Sequence, residues 1–508
     1  LLAKVLSSSV IGIDAAIVDV EVDIARGLPS FSIVGLPETS VKESKDRVKA
    51  AINNAGYPFP PDRITVNLAP AHIKKEGTGF DLPIALGILA ATHIVPHETV
   101  ASYLVLGELS LDGHIRPVRG SLPMALAAKS AGYKAILVPI QNRHEAAVVD
   151  DIDVFPVQRL TEVVEFLHGH RSITPQKAPR EQRQCINEDT DDFAEVLGQE
   201  NAKRAVEIAA AGGHNLLMVG PPGSGKTMLA RRLPGILPRL DFSEALETTK
   251  VYSIMGLLEP DQCLVTQRPF RAPHHTISYA GLIGGGTRVR PGEVSLAHNG
   301  VLFLDELSEF TKPVLEVLRQ PMEDQQVTIS RAAAAITYPA SFMLVGAMNP
   351  CPCGFLSDEK HPCRCTHNQI QRYRSRISGP LLDRIDIHVE MPAVSFKDLT
   401  GIDRGKSSAE IRSRVCTARR IQKQRFNHHG LYCNAQMRSR HIENFCAIDA
   451  PSRRLLETAI TKLGLSARAY NRVLKISRTI ADLDGDVQVT STHIAEAIQY
   501  RSMERHTI

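Results

Sequence analysis

Gly220-Pro221-Pro222-Gly223-Ser224-Gly225-Lys226-Thr227 meets every fixed position of the pattern G-x-x-x-x-G-K-[ST]. A short apolar run, Leu216, Leu217, Met218 and Val219, precedes it, and a helical pattern of Met228, Leu229 and Leu233 follows. This is the strand–loop–helix setting that a phosphate-binding loop needs. Its glycines let successive backbone N–H groups turn inward on an anion, and the helix adds its positive end. The stretch predicts an α/β nucleotide-binding domain that takes ATP, with Lys226 reaching the β- and γ-phosphates and Thr227 holding Mg²⁺. A Gly/Pro-rich turn without a ligand is the other meaning of such composition, and the strand and helix on either side argue against it.

A second stretch bears on hydrolysis. Val301-Leu302-Phe303-Leu304 is a continuous apolar run, as expected of a parallel strand buried on both faces, and it ends in Asp305-Glu306. Asp305 is positioned to complete the Mg²⁺ shell, and Glu306, one residue on, to polarise the attacking water. Two acids at a strand end can also be merely solvated.

At 508 residues the chain is too long for one core, so two or three domains are expected. No apolar run reaches the roughly 20 residues that span a bilayer. Asp19, Glu21 and Asp23 interleave with valines near the start, unlike a signal peptide, so the expected compartment is the cytoplasm, with no membrane partner. Net charge is +4, but from Phe396 onward there are 20 Lys+Arg against 11 Asp+Glu. That asymmetry fits either a basic face for an acidic partner such as nucleic acid or a solvated helical surface. Of nine cysteines, four lie between positions 351 and 365, and clustering in a cytoplasmic protein favours metal over disulfides.

Residues 1–170 read as a separate α/β domain. Val18, Val20, Val22 and Ile24 alternate with acids as a half-buried strand does, and Gly27-Leu28-Pro29 turns the chain toward a strand beginning at Phe31. Further strand patterns start at Ile64, Tyr103, Ala135 and Asp153, and helical patterns at Ser40, Asp81, Leu122 and Leu160. From Gly107-Glu108-Leu109-Ser110-Leu111-Asp112-Gly113 through Ile115-Arg116-Pro117-Val118 to Ala131-Gly132-Tyr133, this half resembles the proteolytic domain of Lon, which has the S5 domain 2-like fold. The Lon serine loop corresponds here to Glu76-Gly77-Thr78-Gly79-Phe80-Asp81, and the segment that carries its lysine to Arg119-Gly120-Ser121-Leu122-Pro123. Without an activated hydroxyl and its base, the resemblance implies a peptidase-inactive scaffold or binding module. Residues 171–192, with Pro175, Pro179 and scattered charge, read as a linker.

The ATPase core, residues 193–395, opens with Val196-Leu197-Gly198-Gln199. Together with the two nucleotide motifs and an apolar strand running from Phe342 into Asn349, it resembles an AAA+ ATPase, with Asn349 at the sensor 1 position that orients water. Between the motifs lie Arg268-Pro269-Phe270-Arg271-Ala272-Pro273-His274-His275-Thr276-Ile277-Ser278, then Gly281-Leu282-Ile283-Gly284-Gly285-Gly286, then Arg290-Pro291-Gly292-Glu293-Val294-Ser295-Leu296-Ala297-His298. With the flanking motifs, these phrases resemble the magnesium-chelatase-like AAA+ proteins of the YifB/ComM type over nearly the whole chain.

The resemblance implies a helix-2 insertion tipped by Leu282–Gly286, with Leu282, Ile283 and Gly284 as DNA contacts, and a hairpin before sensor 1 spanning about Val327–Tyr338 with Arg331 near its tip. In ring-shaped relatives both project into a central pore. A Gly-rich tip can approach a backbone closely, and one arginine per subunit makes a ring of charge suited to phosphates. His274 and His275 are read as stabilising the base of the insert, with metal ligation the alternative. The segment Leu381-Leu382-Asp383-Arg384-Ile385-Asp386 resembles the one that supplies an arginine finger, so Arg384 would reach the nucleotide of a neighbouring subunit. A helical lid, residues 396–508, carries Leu465-Ser466-Ala467-Arg468, a match to sensor 2. Whether Arg468 works in cis or in trans stays open.

Cys351-Pro352-Cys353 and Cys363-Arg364-Cys365 form a paired array in which four thiolates can close a tetrahedral shell around a structural Zn²⁺. His361 or His367 is an alternative for one ligand. Taken with the family, the sequence reading is a homo-hexameric ATPase acting as a helicase or translocase on single-stranded and branched DNA. The ComM-type resemblance further implies branch migration during natural transformation, with a recombinase as a possible partner. A chelatase-like motor for metal insertion and a Lon-like remodelling ATPase are the alternatives.

Overall fold

The computed structural model describes residues 1–177, 191–259, 261–286, 289–331, 334–356, 361–393, 405–427, 429–463 and 466–501. The chain divides into two compact units. The first is Leu1–Cys185 with Asp241–Thr266 and Ala332–Thr337; the second is Ile186–Leu240, Gln267–Arg331 and Tyr338–Ile508.

The first unit is built on a seven-stranded mixed sheet. From one edge to the other its strands are Ser30–Val34, Arg63–Ala69, Asp14–Ala25, Leu2–Ile11, Leu104–Val105, Ala135–Pro139 and Asp153–Val157. Val18, Val20 and Val22 are wholly buried, as the alternation with Asp19 and Glu21 requires. The strand Leu2–Ile11, which pairs antiparallel with Asp14–Ala25 along its whole length, is absent from the sequence reading. Ser7, Ser8 and Ser9 interrupt its apolar run, yet all three are buried, and Ser8 donates its hydroxyl to the Ala16 carbonyl at 2.9 Å. Helix Asp81–Ala91 is buried at every residue, so it carries no amphipathic stripe.

Asp241–Thr266 corrects the domain reading, which placed 193–395 in one continuous core. Helix Phe242–Met255 starts in a capping box formed by Asp241 and Glu244. The Gly120 amide donates to the Ser253 carbonyl at 3.2 Å, the Ser253 hydroxyl bonds to Glu145, and Lys250 pairs with Asp14 at 2.8 Å. Past the helix, Cys263 and Leu264 enter the core formed by Leu122, Ala125, Ile136, Val138 and Val154. Long-range packing of this kind leaves no local mark, which is why a linear reading assigns the segment to its sequence neighbours. Of the expected linker, residues 178–190 lie outside the described residues; before them, the Gln176 amide donates to the Val154 carbonyl at 2.7 Å and so extends the sheet edge.

The second unit holds a five-stranded parallel sheet ordered Phe270–Arg271, Val301–Leu304, Met343–Met348, Leu216–Val219 and Ile387–Glu390. Leu216–Val219, Val301–Leu304 and Met343–Met348 are buried throughout, which is why they read as unbroken apolar runs. The lid helices Ser408–Arg425, Ser439–Phe445, Ala450–Leu463, Ala467–Asp484 and Ser491–Gln499 follow. Arg419 and Gln422 bond to the carbonyls of Ala210 and Ala211 at the end of helix Glu200–Gly212, and Arg204 pairs with Glu496 at 2.9 Å. Of the lid reading, residues 396–404, 428, 464–465 and 502–508 lie outside the described residues, as do 394–395 at the end of the core reading. Among the described residues no helix is long and apolar enough to cross a membrane.

Because Leu264 fills the core of the first unit, Leu264→Ala is expected to lower stability by about 2–4 kcal/mol, read by denaturant unfolding. An unchanged unfolding midpoint would contradict the placement of Asp241–Thr266.

Candidate nucleotide site

The parallel strands of the second unit all release their loops at the same sheet edge, the position where ligands bind in such folds. Gly220–Gly225 leaves strand Leu216–Val219 and enters helix Lys226–Ile236, with Gly223 and Gly225 at φ of 78° and 92°. Such values favour glycine. Gly220 is required for another reason: a Cβ there would sit 2.2 Å from the Met391 carbonyl oxygen.

Lys226 is buried, and its ammonium donates to the carbonyls of Gly220 at 2.7 Å and Pro221 at 2.8 Å, to Ser224 Oγ at 3.3 Å and to Asn349 Oδ1 at 3.4 Å. All four acceptors are neutral. Burial pulls the Lys226 pKa below the ordinary lysine value, and the charge of Asp305 only partly opposes this. Thr227 donates its hydroxyl to Asp305 Oδ2 at 2.7 Å, while the other Asp305 oxygen accepts from the Glu306 amide at 2.9 Å. Glu306 occupies the left-handed region at φ 51°, so its side chain leaves the strand in a direction different from that of Asp305. The structure thus sets two hydrogen-bonded pairs on consecutive residues at the helix start, Lys226 with Asn349 and Thr227 with Asp305, and the Glu306 amide donates to Asp305.

Two residues at this site were not given these roles from sequence. His275 Nδ1 lies 3.1 Å from Glu306 Oε2, and its ring meets Phe310 edge-on at 6.4 Å and His274 at 4.1 Å. Arg271 sits opposite Leu302 on the paired strands, and His275 and Glu306 each lie four residues beyond that pair, in the segments that follow the strand ends. Gln199, at φ 58°, donates to the carbonyls of Ser224 at 3.3 Å and Pro392 at 2.6 Å, bracing the phosphate loop against the far strand. Its sequence signal is its place in Val196-Leu197-Gly198-Gln199, the phrase that opens the core just before helix Glu200–Gly212.

The arginines lie apart from this group. Arg384 is 9% exposed, pairs with Glu323 and donates to the Pro380 carbonyl at 2.6 Å; its Nε is buried without a partner. Arg468 is exposed in the first turn of helix Ala467–Asp484, which Ser466 caps. Leu282, Ile283 and Gly284 require a correction, because all three are buried rather than presented at a tip. Leu282 and Ile283 belong to helix Tyr279–Ile283, and a Cβ on Gly284 would meet the Arg290 carbonyl at 2.4 Å and Ile329 at 2.8 Å. Exposed here are Tyr279, Ala280 and Gly281 of the helix, Gly286 at the end of the expected tip, and Arg290 and Arg331; a Cβ on Gly285 would lie 3.8 Å from the Arg331 guanidinium.

The four cysteine sulfurs converge, all within 4.8 Å of one another. Cys351 and Cys353 are 3.3 Å apart, and Cys363 lies 3.7 and 3.6 Å from them. Hydrogen bonds from the Phe355 and Arg364 amides hold the Cys353 thiol down at about 6, whereas burial pushes Cys351 up to about 12. In the first unit, Thr78 donates its hydroxyl to Glu108.

A phosphate loop on a parallel sheet, an acidic pair on a strand of the same sheet, a helical lid and a Lon-like α/β unit at the N-terminus define an AAA+ protein. Residues 192–399 match the family described as magnesium chelatase, subunit ChlI; residues 20–142 match subunit ChlI of Mg-chelatase, and residues 405–501 its C-terminal family. Competence protein ComM of Haemophilus influenzae is 47% identical over 509 residues, covering 99% of this chain and 98% of that protein. Protein YifB of Escherichia coli K12 is 44% identical over 505 residues, covering 99% and 98%. Lon protease 2 of Bacillus subtilis is 26% identical over 163 residues, 29% of each chain. The chain belongs to the magnesium-chelatase-like AAA+ proteins of the ComM/YifB type.

The close approach at Gly220 gives a direct check. Gly220→Ala forces the loop away from Met391 and is expected to cost about 1–3 kcal/mol, the range for overpacked sites, measured by thermal unfolding. A variant that melts with wild type would show that the loop does not lie against that carbonyl.

Proposed function

We propose that this protein is a ring-forming ATPase that couples ATP hydrolysis to movement on DNA, acting as a helicase or translocase on branched recombination intermediates. The observation that carries the nucleotide part is the buried Lys226 ammonium, whose acceptors are all neutral. A buried cation whose direct acceptors are neutral, and which the charge of Asp305 only partly compensates, is stabilised by an incoming anion, and the phosphate tail of ATP supplies one. Thr227 and Asp305 already hold their oxygens 2.7 Å apart and would be the protein ligands of Mg²⁺, whose bound charge offsets that developing on the phosphates. Asn349 would orient the attacking water and Glu306 accept its proton. Arg384, clasped by Glu323 within the single chain, would act on the nucleotide of the next subunit and Arg468 on the nucleotide as a second sensor, so hydrolysis requires assembly, as a hexamer in our reading.

The DNA role draws support from the relative named competence protein ComM and from the exposed Arg290 and Arg331 beside Gly285. With Leu282, Ile283 and Gly284 buried, the grip on phosphates falls to these two arginines. We place the activity in the cytoplasm during natural transformation, on single-stranded and branched DNA and alongside a recombinase, with the Lon-like unit as a non-peptidase scaffold. The convergent cysteines suit a structural Zn²⁺: four soft sulfur donors, all within 4.8 Å of one another.

Three measurements test this reading. ATPase activity should rise with single-stranded and forked DNA; Lys226→Ala should lose nucleotide binding, whereas Glu306→Gln should keep binding and lose turnover by 10²–10⁴-fold, the usual worth of a general base. Arg331→Ala should reduce DNA-stimulated turnover and forked-duplex unwinding while sparing basal hydrolysis, and binding should weaken steeply with salt. Wild-type unwinding rates in that variant would place the grip elsewhere. Metal analysis should find about one zinc per chain, and Cys363→Ser should lower both zinc content and melting temperature.

A further inference from the structure

The turn that carries the first two cysteines does more than hold sulfur. Asn349 ends the strand Met343–Met348, Cys351 follows two residues later, and the Gly354 amide closes the turn on the Cys351 carbonyl at 3.0 Å. Gly354 is buried at φ 86°, and a Cβ on it would lie 2.6 Å from Cδ and 2.9 Å from Cγ of Pro222, in the middle of the phosphate loop. The same Cβ would touch the Asn349 amide carbon at 3.9 Å. Asn349 in turn accepts from Lys226. The thiolate turn therefore lies in van der Waals contact with the loop expected to wrap the phosphates, and only a residue without a Cβ permits that approach.

On this turn Cys351 and Cys353 converge with Cys363 and Cys365, which come from the other side of residues 357–360, a stretch outside the described residues. Four thiols this close repel one another once ionised, and a soft divalent cation removes that repulsion by taking all four. Gly354 is bonded directly to Cys353 in the chain, so a ligand that fixes Cys353 constrains where Gly354 lies.

We propose that the four-cysteine site is a metal-dependent clamp on the phosphate loop: Zn²⁺ on Cys351, Cys353, Cys363 and Cys365 presses Gly354 against Pro222 and so sets nucleotide affinity. This rests on the ATP reading above and goes beyond it, because a purely structural metal would raise the melting temperature without acting on the nucleotide. The site joins metal supply to the ATP state of the protein.

The test uses the full-length protein with a fluorescent ATP analogue as probe, zinc content and circular dichroism being measured on the same samples. Stripping zinc with a chelator, well below the melting temperature, should weaken analogue binding about tenfold, the lower range for loss of a supporting shell, while helical content is kept. Added Zn²⁺ should restore binding and added Mg²⁺ should not. Gly354→Ala should keep its zinc yet weaken binding similarly, which separates the contact from the metal. If Cys363→Ser fails to fold, Gly354→Ala still decides. Zinc-free protein, or a zinc-loaded Gly354→Ala variant, that binds the analogue as tightly as wild type overturns the clamp. Wild type that binds no more tightly than Lys226→Ala overturns the nucleotide reading, and the clamp with it.

Discussion

The constraint on which the second unit turns is a charge kept out of water. Lys226 leads a helix from the edge of a parallel sheet, buried, with carbonyl, hydroxyl and amide dipoles as its acceptors. An unpaired buried ammonium is costly, and its lowered pKa expresses that cost. The surroundings are arranged to tolerate the strain until an anion arrives: Gly220 lets the loop lie on Met391, Gln199 holds the loop from below, and Pro222 rests on the cysteine turn. Each of these contacts comes from a different element of the same unit.

A second buried charge fixes the arginine segment to the lid. Burial by itself would raise the Asp386 carboxyl, but His214 and Arg472 outweigh it and hold the group below the usual range. Its oxygens receive the Asn215 amide at 3.2 Å and Arg472 Nε at 3.2 Å, and the Asn215 side chain donates to the Arg384 carbonyl at 3.1 Å. Arg472 lies one turn beyond Arg468 on the same lid helix. The backbone of the finger segment and the helix that carries the second arginine therefore share one carboxylate, a network whose parts are worth more together than singly.

The helix-2 insertion is connected to this chemistry at its root. His275, on the stretch leading into helix Tyr279–Ile283, meets the acid that follows the apolar strand Val301–Leu304. At its far end, Gly284 packs on Ile329 of the strand Gln326–Arg331. Burial of Leu282 and Ile283 anchors the insert, while Tyr279 and the charges of Arg290 and Arg331 remain exposed.

Local order was legible in the sequence, since the features that set it are themselves local. The phosphate loop, the strands Leu216–Val219 and Val301–Leu304, the acidic pair, the strand–helix alternation of the first unit and the paired cysteines all declare themselves by spacing, periodicity or turn chemistry. Tertiary structure decided the rest. It sent Asp241–Thr266 into the first unit, because Leu264 and Cys263 find their partners more than a hundred residues away. It buried Ser7, Ser8 and Ser9 in a strand, because a partner strand satisfies the backbone there. It turned Leu282 and Ile283 inward, joined His275 to Glu306 beyond the ends of two paired strands, and laid Gly354 on Pro222. These facts concern which surfaces meet, and a chain's local pattern encodes how each segment folds without stating which distant segment will cover it.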